Sequence, residues 1–198
     1  MIMPEIELAG RPETVHPSLF TARGIRLVTI DIENVLTDYG SAEVTPEGLA
    51  LVQGLQAADL QVALATNHKK YNHETNFDTG SYGLNPFVEE VRSQLPGNIP
   101  GFYPFMEGSG IRGKTKPDMF RYALEQFGVT NPSQAAHIDD QFKSYAGLVA
   151  ARFGLFVWTE PIGEHQHRGV RMLRPLETVV RSAVASAQIV SDVRRGDS

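Results

Sequence analysis

The sequence contains no cysteine among its 198 residues. Disulfide bonds, thiolate metal sites and a cysteine nucleophile are therefore excluded, while the redox compartment stays open. Positive charge is not in excess either, because 18 lysines and arginines stand against 23 acidic residues and the formal net charge is −5. Bulk electrostatics consequently give no reason to expect a nucleic-acid partner.

Long apolar runs are also missing. No stretch approaches the roughly 20 residues that a membrane span needs, and residues 1–20 lack the basic start and apolar core of a secretory signal. A chain of 198 residues is long enough to bury a sizeable core in one domain. We therefore expect a cytoplasmic enzyme without a transmembrane segment.

Short apolar segments alternate with segments of helical spacing along the chain. The strand patterns lie at about residues 25–30, 60–66, 102–106, 135–138 and 155–158, and the helical patterns lie at about residues 46–56, 86–94, 117–127, 142–152 and 175–193. Strands joined by helices form right-handed parallel crossovers. The alternation predicts an α/β fold: a three-layer, Rossmann-like, doubly wound and mostly parallel sheet of about five strands.

We expect two parts of unequal size. Residues 1–24 are predicted to form an N-terminal arm, because Pro12 and Pro17 argue against a long helix there. Residues 25–198 are predicted to form a single α/β domain with an aromatic-rich insertion at about residues 68–115. Long irregular loops are often lids or binding loops, but a loop that only packs its aromatic side chains on the core is an equally good interpretation. The turn and helix between the first two strands leave no room for a cap domain.

Polar side chains follow three of the predicted strands, and a lysine opens the helix before the last of these. The residues are Asp31 and Glu33, Thr66 and Asn67, Lys116, and Asp139 and Asp140. Parallel strands bring their carboxyl ends to one edge of a sheet, where ligands bind, so we expect these side chains to converge. Clustered carboxylates repel one another, and a hard cation such as Mg²⁺, which prefers oxygen ligands, offsets that repulsion. The hydroxyl, amide and lysine groups are donors suited to phosphate oxygens, and a carboxylate can attack phosphorus to form an aspartyl-phosphate.

Asp31 by itself does not decide the chemistry. An aspartate at the end of a strand often only caps the following turn, and for this residue alone the two interpretations are even. The ordered set of polar residues favours the chemical interpretation.

The ordered set resembles the haloacid dehalogenase (HAD) superfamily of phosphohydrolases over about residues 25–160. The family's first motif is Asp-x-Asp-x-(Thr/Val) after a strand, and here it reads Asp31-Ile32-Glu33-Asn34-Val35. The later motifs are a Thr or Ser, a Lys and an acidic motif, and here they are Thr66, Lys116 and Asp139-Asp140. The Thr-Asn, Lys-Pro and Asp-Gln details are most similar to subfamily III A, in the capless branch that includes phosphatidylglycerophosphate phosphatases.

The resemblance implies an Mg²⁺-dependent phosphatase that cleaves a phosphomonoester. Asp31 would be the nucleophile and a metal ligand. The backbone carbonyl of Glu33 would bind Mg²⁺, and its side chain would take the place of the general acid and base. Lys116 would offset the charge between Asp31 and the phosphate.

The remaining motif residues have implied roles as well. Thr66 and Asn67 would hold the phosphoryl oxygens. Asp140 would complete the metal shell, with Asp139 beside it as a further acidic ligand. The implied partner is a phosphorylated substrate, either a lipid or another large phosphate ester.

Two positions depart from the family pattern. Glu33 stands where most phosphatases of the family have Asp, and Tyr145 stands where a second Asp of the acidic motif is usual. The extra methylene of Glu33 displaces the carboxyl, and a misplacement of about 1 Å can cost about 10²-fold in rate. A catalytically weak or inactive HAD-fold binding or regulatory protein is therefore the alternative function.

The sequence leaves two possible partners undecided, a lipid surface and a second copy of the chain. Peripheral contact with a lipid surface is compatible with the predicted open site. The final helix could serve a homodimer, but packing on the sheet explains its apolar side chains equally well. His68 and His73 lack the spacing of a zinc site, so we expect them to be solvated loop histidines.

Overall fold

The computed structural model describes residues 3–68, 84–104, 106, 109–111, 117–162 and 177–185. The chain divides into two compact units, Met1–Gly163 and Glu164–Ser198. In the second unit, residues 177–185 are helical, which agrees with part of the expected helix at 175–193. The single domain expected over residues 25–198 stays a prediction. None of the described helices has the length and apolar character needed to cross a membrane.

The first unit is built on a sheet of six parallel strands among the described residues. The strands are β1 (Glu5–Leu8), β2 (Leu27–Ile30), β3 (Gln61–Ala65), β4 (Gly101–Phe102), β5 (Ala135–Asp139) and β6 (Leu155–Trp158). Their order is β1-β6-β5-β2-β3-β4, and every pairing is parallel. The expected doubly wound α/β fold is confirmed, with six strands where about five were expected.

The helices connect the strands much as the sequence patterns predict. They are α1 (Ser18–Thr21), α2 (Pro46–Ala57), α3 (Pro86–Ser93), α4 (Pro117–Gln126) and α5 (Tyr145–Ala151), with short 3₁₀ turns at Pro12–Thr14, Pro132–Gln134 and Phe142–Ser144. The start of α2 shows why its position was predictable. The hydroxyl of Thr45 accepts a hydrogen bond from the amide of Gly48 at 3.0 Å, and Pro46 occupies the first turn, where its missing N–H costs nothing.

The N-terminal segment differs from the expected arm. Glu5–Leu8 form the edge strand β1, which pairs with β6 in the register Glu5 to Leu155. The strand is only half-buried and carries two acidic side chains, so it lacks the apolar run that marks an interior strand. Arg23 forms ion pairs with Glu5 at 3.0 Å and Glu7 at 3.2 Å. The two prolines thus exclude a long helix from this segment but not a short strand.

The sheet separates the core into two layers, one on each of its faces, and the central strand β2 shows this. Val28 and Ile30 belong to the hydrophobic cluster that includes Leu55 of α2 and Val91 of α3. Side chains alternate along a strand, so Thr29 faces the other layer. There the ring of Phe120, from α4, packs at 5.1 Å from the imidazole of His137. The helices of the two layers cover both faces, which is the three-layer arrangement that was expected.

No cap domain interrupts the link from β2 to α2. Residues 31–45 form turns and two isolated bridges, Glu33 with Thr37 and Thr37 with Val44. Much of the expected insertion at 68–115 lies outside the described residues, but its described parts include α3 and β4. The carboxyl end of β2 is therefore followed by a loop of turns and bridges that leads directly into α2.

Gly48 allows α2 to lie close to this loop, and replacing it should destabilise the fold. A Cβ atom at Gly48 would lie 2.5 Å from the carbonyl oxygen of Leu36, so the backbone must move. Gly48→Ala is expected to lower the free energy of unfolding by about 1–3 kcal/mol, measured by urea denaturation. Gly54→Ala in the same helix is the control. Among the described residues, its Cβ would meet only a side-chain atom of Pro17 at 3.5 Å, and we expect a gain of about 0.5–1 kcal/mol from helix propensity. Equal losses for both variants would contradict the close contact.

Candidate active site

Two aspartates lie side by side because β2 and β5 are parallel neighbours. Ile30 pairs with Ile138 in the register, and the amide of Asp31 donates to the carbonyl of Ile138 at 2.9 Å. Asp31 is therefore level with Asp139, and Asp140 follows directly. Ligand oxygens of the three carboxylates lie within 4.8 Å of one another, and all three residues are buried. The predicted convergence of these acids is present in the structure.

Asp31 and Asp140 are held by donors from the loop that follows β2. Oδ1 of Asp31 accepts a hydrogen bond from the amide of Ile32 at 2.9 Å. Oδ2 of Asp140 accepts from Nδ2 of Asn34 at 3.2 Å, and Asn34 has the left-handed backbone angle φ 65° that asparagine tolerates better than most residues. The indole of Trp158 donates to the carbonyl of Asp140 at 3.1 Å. One tight loop therefore orients both carboxylates.

Asp139 is bound by a fully buried polar network. Its Oδ1 accepts from the amide of Gln141 at 2.9 Å, and its Oδ2 accepts from the hydroxyl of Ser144. Nε2 of His137 lies 3.2 Å from the same Oδ2, and Nδ1 of His137 lies 2.9 Å from the hydroxyl of Thr29. Buried polar groups are normally paired in this way. Both oxygens of Asp139 are thus engaged by the protein.

The predicted phosphate-binding residues follow the neighbouring strand β3. Thr66 is 1% exposed, its amide donates to the carbonyl of Phe102 at 3.1 Å, and its hydroxyl accepts from the amide of His68 at 3.0 Å. Asn67 is half-buried. Since Ile30 pairs with Leu64, both residues lie at the same sheet edge as Asp31. Lys116 lies outside the described residues, and α4 begins just after it.

Glu33 points its carboxylate to groups outside the acidic cluster. Its Oε1 accepts from the amide of Gly40 at 3.0 Å, and its Oε2 lies 3.2 Å from Nδ1 of His68. The side chain is 19% exposed. Burial, followed by the negative charge of Glu33, raises the pKa of the nearby Tyr39. Glu33 therefore has ordered contacts, but the cluster of described acidic side chains close enough to share an ion comprises only the three aspartates.

His68 is buried, so the expected solvated loop histidine is wrong. Only 8% of the residue is exposed, and its ring stacks on Phe87 with the centroids 3.8 Å apart and the planes 10° from parallel. The side chain of Asn85 donates to the carbonyl of His68 at 3.2 Å. These partners belong to α3 and its cap, so no local signal around His68 could have indicated its burial. His73 lies outside the described residues.

The sequence matches the family of haloacid dehalogenase-like hydrolases over residues 7–152. The chain belongs to this family. No curated protein matches the chain. The HAD-like match includes β2, β3 and β5, the strands that present Asp31, Thr66 and Asp139.

Several solved structures are similar to this HAD-like chain. CbbY from Rhodobacter sphaeroides in complex with phosphate has 13% identity and a TM-score of 0.46, covering 72% of this chain and 90% of that one. A subfamily IA HAD hydrolase from Geobacter sulfurreducens has 14% identity and a TM-score of 0.41, covering 76% and 97%. A HAD family enzyme from Bacteroides thetaiotaomicron, a magnesium complex, has 14% identity and a TM-score of 0.42, covering 75% and 99%.

Tyr145 has a structural role at a position where the HAD pattern usually has an acid. Its ring stacks on Phe142 with the centroids 4.9 Å apart, and its hydroxyl donates to the carbonyl of Pro4 at 3.0 Å. Burial raises the pKa of Tyr145 above its usual value, which further favours the protonated phenol that donates this hydrogen bond. The side chain links α5 to the segment that leads into β1.

Removing the hydroxyl donor beneath Asp139 tests whether the buried network supports the fold. Ser144→Ala is expected to lower the free energy of unfolding by about 1.5–3 kcal/mol, because a hydrogen bond to a buried charged group is lost. Urea denaturation measures the change. Ser93→Ala is the matched control, since Ser93 is exposed on α3 and its hydroxyl donates to a backbone carbonyl; its effect should stay within about 0.5 kcal/mol. An equally small effect at Ser144 would contradict the assigned hydrogen bond.

Proposed function

We propose that this HAD-like hydrolase is an Mg²⁺-dependent phosphatase that cleaves a phosphomonoester through an aspartyl-phosphate on Asp31. The observation that carries the proposal is the buried cluster of Asp31, Asp139 and Asp140, with ligand oxygens within 4.8 Å. Buried like charges are strongly unfavourable without a compensating cation. The hydroxyl of Thr66 at the same sheet edge adds a group suited to phosphate.

The donor set fits Mg²⁺. All the candidate ligand atoms in the cluster are carboxylate oxygens, which hard cations prefer, and Mg²⁺ usually takes one or two carboxylates together with water and phosphate oxygens. Asp31, Asp140 and the backbone carbonyl of Glu33 would hold the ion. Asp139 would support them from its buried network. When bound, the ion would stabilise the negative charge of the phosphoryl oxygens.

The protein's own residues would act in two chemical steps. A carboxylate oxygen of Asp31 attacks phosphorus, the ester P–O bond breaks, and the leaving alcohol takes a proton from Glu33. Water then attacks the aspartyl-phosphate and loses a proton to Glu33, which releases inorganic phosphate and frees Asp31. Thr66, Asn67 and Lys116 would bind the phosphoryl oxygens, whose charge must be stabilised in both steps.

The absence of a cap domain from residues 31–45 favours a large substrate. The loop between β2 and α2 consists of turns and isolated bridges, and a site without a cap at this position suits a bulky ester. The similarity of the motifs to subfamily III A, in the phosphatidylglycerophosphate phosphatase-like branch, supports a lipid or other large phosphate ester as the substrate class. Peripheral contact with a lipid surface and a cytoplasmic location remain part of this proposal.

A second candidate function follows from the contacts of Glu33. Its carboxylate contacts His68 and the amide of Gly40, and it is not one of the three described carboxylates whose oxygens lie within 4.8 Å of one another. If this arrangement is too far from a bound ester, the protein would bind Mg²⁺ and phosphate without efficient turnover. Binding measured separately from hydrolysis distinguishes a regulatory binding protein from a phosphatase.

The assignment of the nucleophile is tested with Asp31→Asn. Loss of the attacking carboxylate is expected to reduce Mg²⁺-dependent hydrolysis of p-nitrophenyl phosphate by about 10³-fold or more. Asp59→Asn is the matched control. Asp59 is exposed at the opposite end of the sheet and has φ 58°, a conformation that asparagine accepts. Hydrolysis by Asp31→Asn at a tenth of the natural rate would overturn the assignment.

Metal binding is tested by calorimetry and does not require turnover. The natural protein is expected to bind Mg²⁺, and Asp140→Asn should weaken that binding by about tenfold or more, because a negatively charged oxygen ligand is lost. The same Asp59→Asn variant should bind as the natural protein does. Chelation with EDTA should abolish hydrolysis and readdition of Mg²⁺ should restore it. Normal Mg²⁺ binding together with undetectable hydrolysis by the natural protein would favour the second candidate function.

A further inference from the structure

We propose that His68 is the positioning residue that allows a glutamate to serve as the acid and base at position 33. This role rests on the proposed phosphatase function. The two residues belong to different motifs: Glu33 lies in the loop after β2, and His68 follows Thr66 and Asn67 after β3. Their contact, 3.2 Å between Nδ1 and Oε2, joins the two motifs directly.

A glutamate needs such a partner more than an aspartate does. It has one more rotatable bond, so its carboxyl group samples more positions unless contacts restrict it. At Glu33 the two oxygens are held from two sides. The amide of Gly40 donates to Oε1 at 3.0 Å, and Nδ1 of His68 lies 3.2 Å from Oε2. Contacts at both oxygens define the plane of the carboxyl group as well as its position.

His68 is itself rigidly placed. The ring lies face to face with Phe87 at 3.8 Å, and the side chain is 6% exposed. The backbone on both sides is hydrogen bonded, through the amide of His68 to the hydroxyl of Thr66 at 3.0 Å and through its carbonyl to Asn85 at 3.2 Å. The same residue therefore contacts the predicted phosphate-binding hydroxyl and the predicted acid.

The burial of the imidazole argues against a role in packing alone. Nε2 of His68 is buried and has no hydrogen-bond partner among the described residues. A buried polar atom without a partner is unfavourable, and a phenylalanine at this position would stack on Phe87 without that cost. The contact of Nδ1 with Glu33 is the interaction that an apolar ring cannot provide.

An aspartate at position 33 would not make the same contact. Its carboxyl group would end one carbon–carbon bond, about 1.5 Å, closer to the backbone. The distance to Nδ1 of His68 would then exceed that of a hydrogen bond. The effect of His68 on catalysis should consequently depend on whether residue 33 is a glutamate or an aspartate.

A double-mutant cycle on the full chain tests this dependence with p-nitrophenyl phosphate and Mg²⁺. His68→Phe keeps the aromatic stack and removes Nδ1, and it is expected to lower kcat by about tenfold or more with KM changed less than about threefold. His68→Asn places an amide N–H close to the position of Nδ1, and it should recover most of the lost kcat. In the Glu33→Asp background, His68→Phe should cost much less than it does beside Glu33. His16→Asn, at an exposed histidine in the segment before α1, should leave kcat unchanged.

Several outcomes would overturn the role of His68. Equal losses from His68→Phe in both backgrounds would make the residue a general structural support, and failure of His68→Asn to recover kcat would exclude the Nδ1 contact. If His68→Phe does not fold, the ¹⁵N shift of Nδ1 in the natural protein and in Glu33→Asp decides. That shift should change on Glu33→Asp, and an unchanged shift would contradict the contact. If the natural protein and Asp31→Asn hydrolyse the ester at equal rates, the phosphatase function itself fails. If Asp31→Asn loses activity but the effects of the His68 and Glu33 substitutions are additive, only the role of His68 fails.

Discussion

The parallel pairing of β2 with β5 places carboxylates next to one another in a buried position, and the surrounding contacts depend on this constraint. Asp31 and Asp139 are level because Ile30 pairs with Ile138, and Asp140 is the next residue. Three buried carboxylates within 4.8 Å are stable only if hydrogen-bond donors or a cation offset their charge. Within the described residues, hydrogen-bond donors to these carboxylates come from the tight loop after β2 and from the polar network around Asp139 at the end of β5.

The three aspartates accept hydrogen bonds from different parts of the chain. Asp139 accepts hydrogen bonds at both of its oxygens, from the amide of Gln141 and the hydroxyl of Ser144, and its network continues through His137 into the core. Such a carboxylate is oriented to support its neighbours. Asp31 and Asp140 are oriented by the loop that follows β2, and that loop also presents Glu33. In the proposed function, Asp31 and Asp140 are the carboxylate ligands of the Mg²⁺ ion.

The interior strands and the convergence of the acids could be predicted from the sequence, but contacts between distant segments could not. Strands buried on both faces are nearly continuous apolar runs, and parallel topology alone brings Asp31 and Asp139 to one edge. Strand β1 was missed because an edge strand that is half exposed has no such run. The burial of His68 depends on Phe87, and that ring reaches it from α3, which begins only at Pro86.

The two departures from the HAD motifs have different physical consequences. Tyr145 uses its hydroxyl and ring to attach α5 to the segment before β1, through Pro4 and Phe142, so this position has a structural contact. Glu33 keeps a carboxyl group, and the residues that contact it, Gly40 and His68, lie outside the first motif. A motif compared position by position shows only that Glu33 is unusual. Whether the substitution preserves catalysis depends on residues that the motif does not contain.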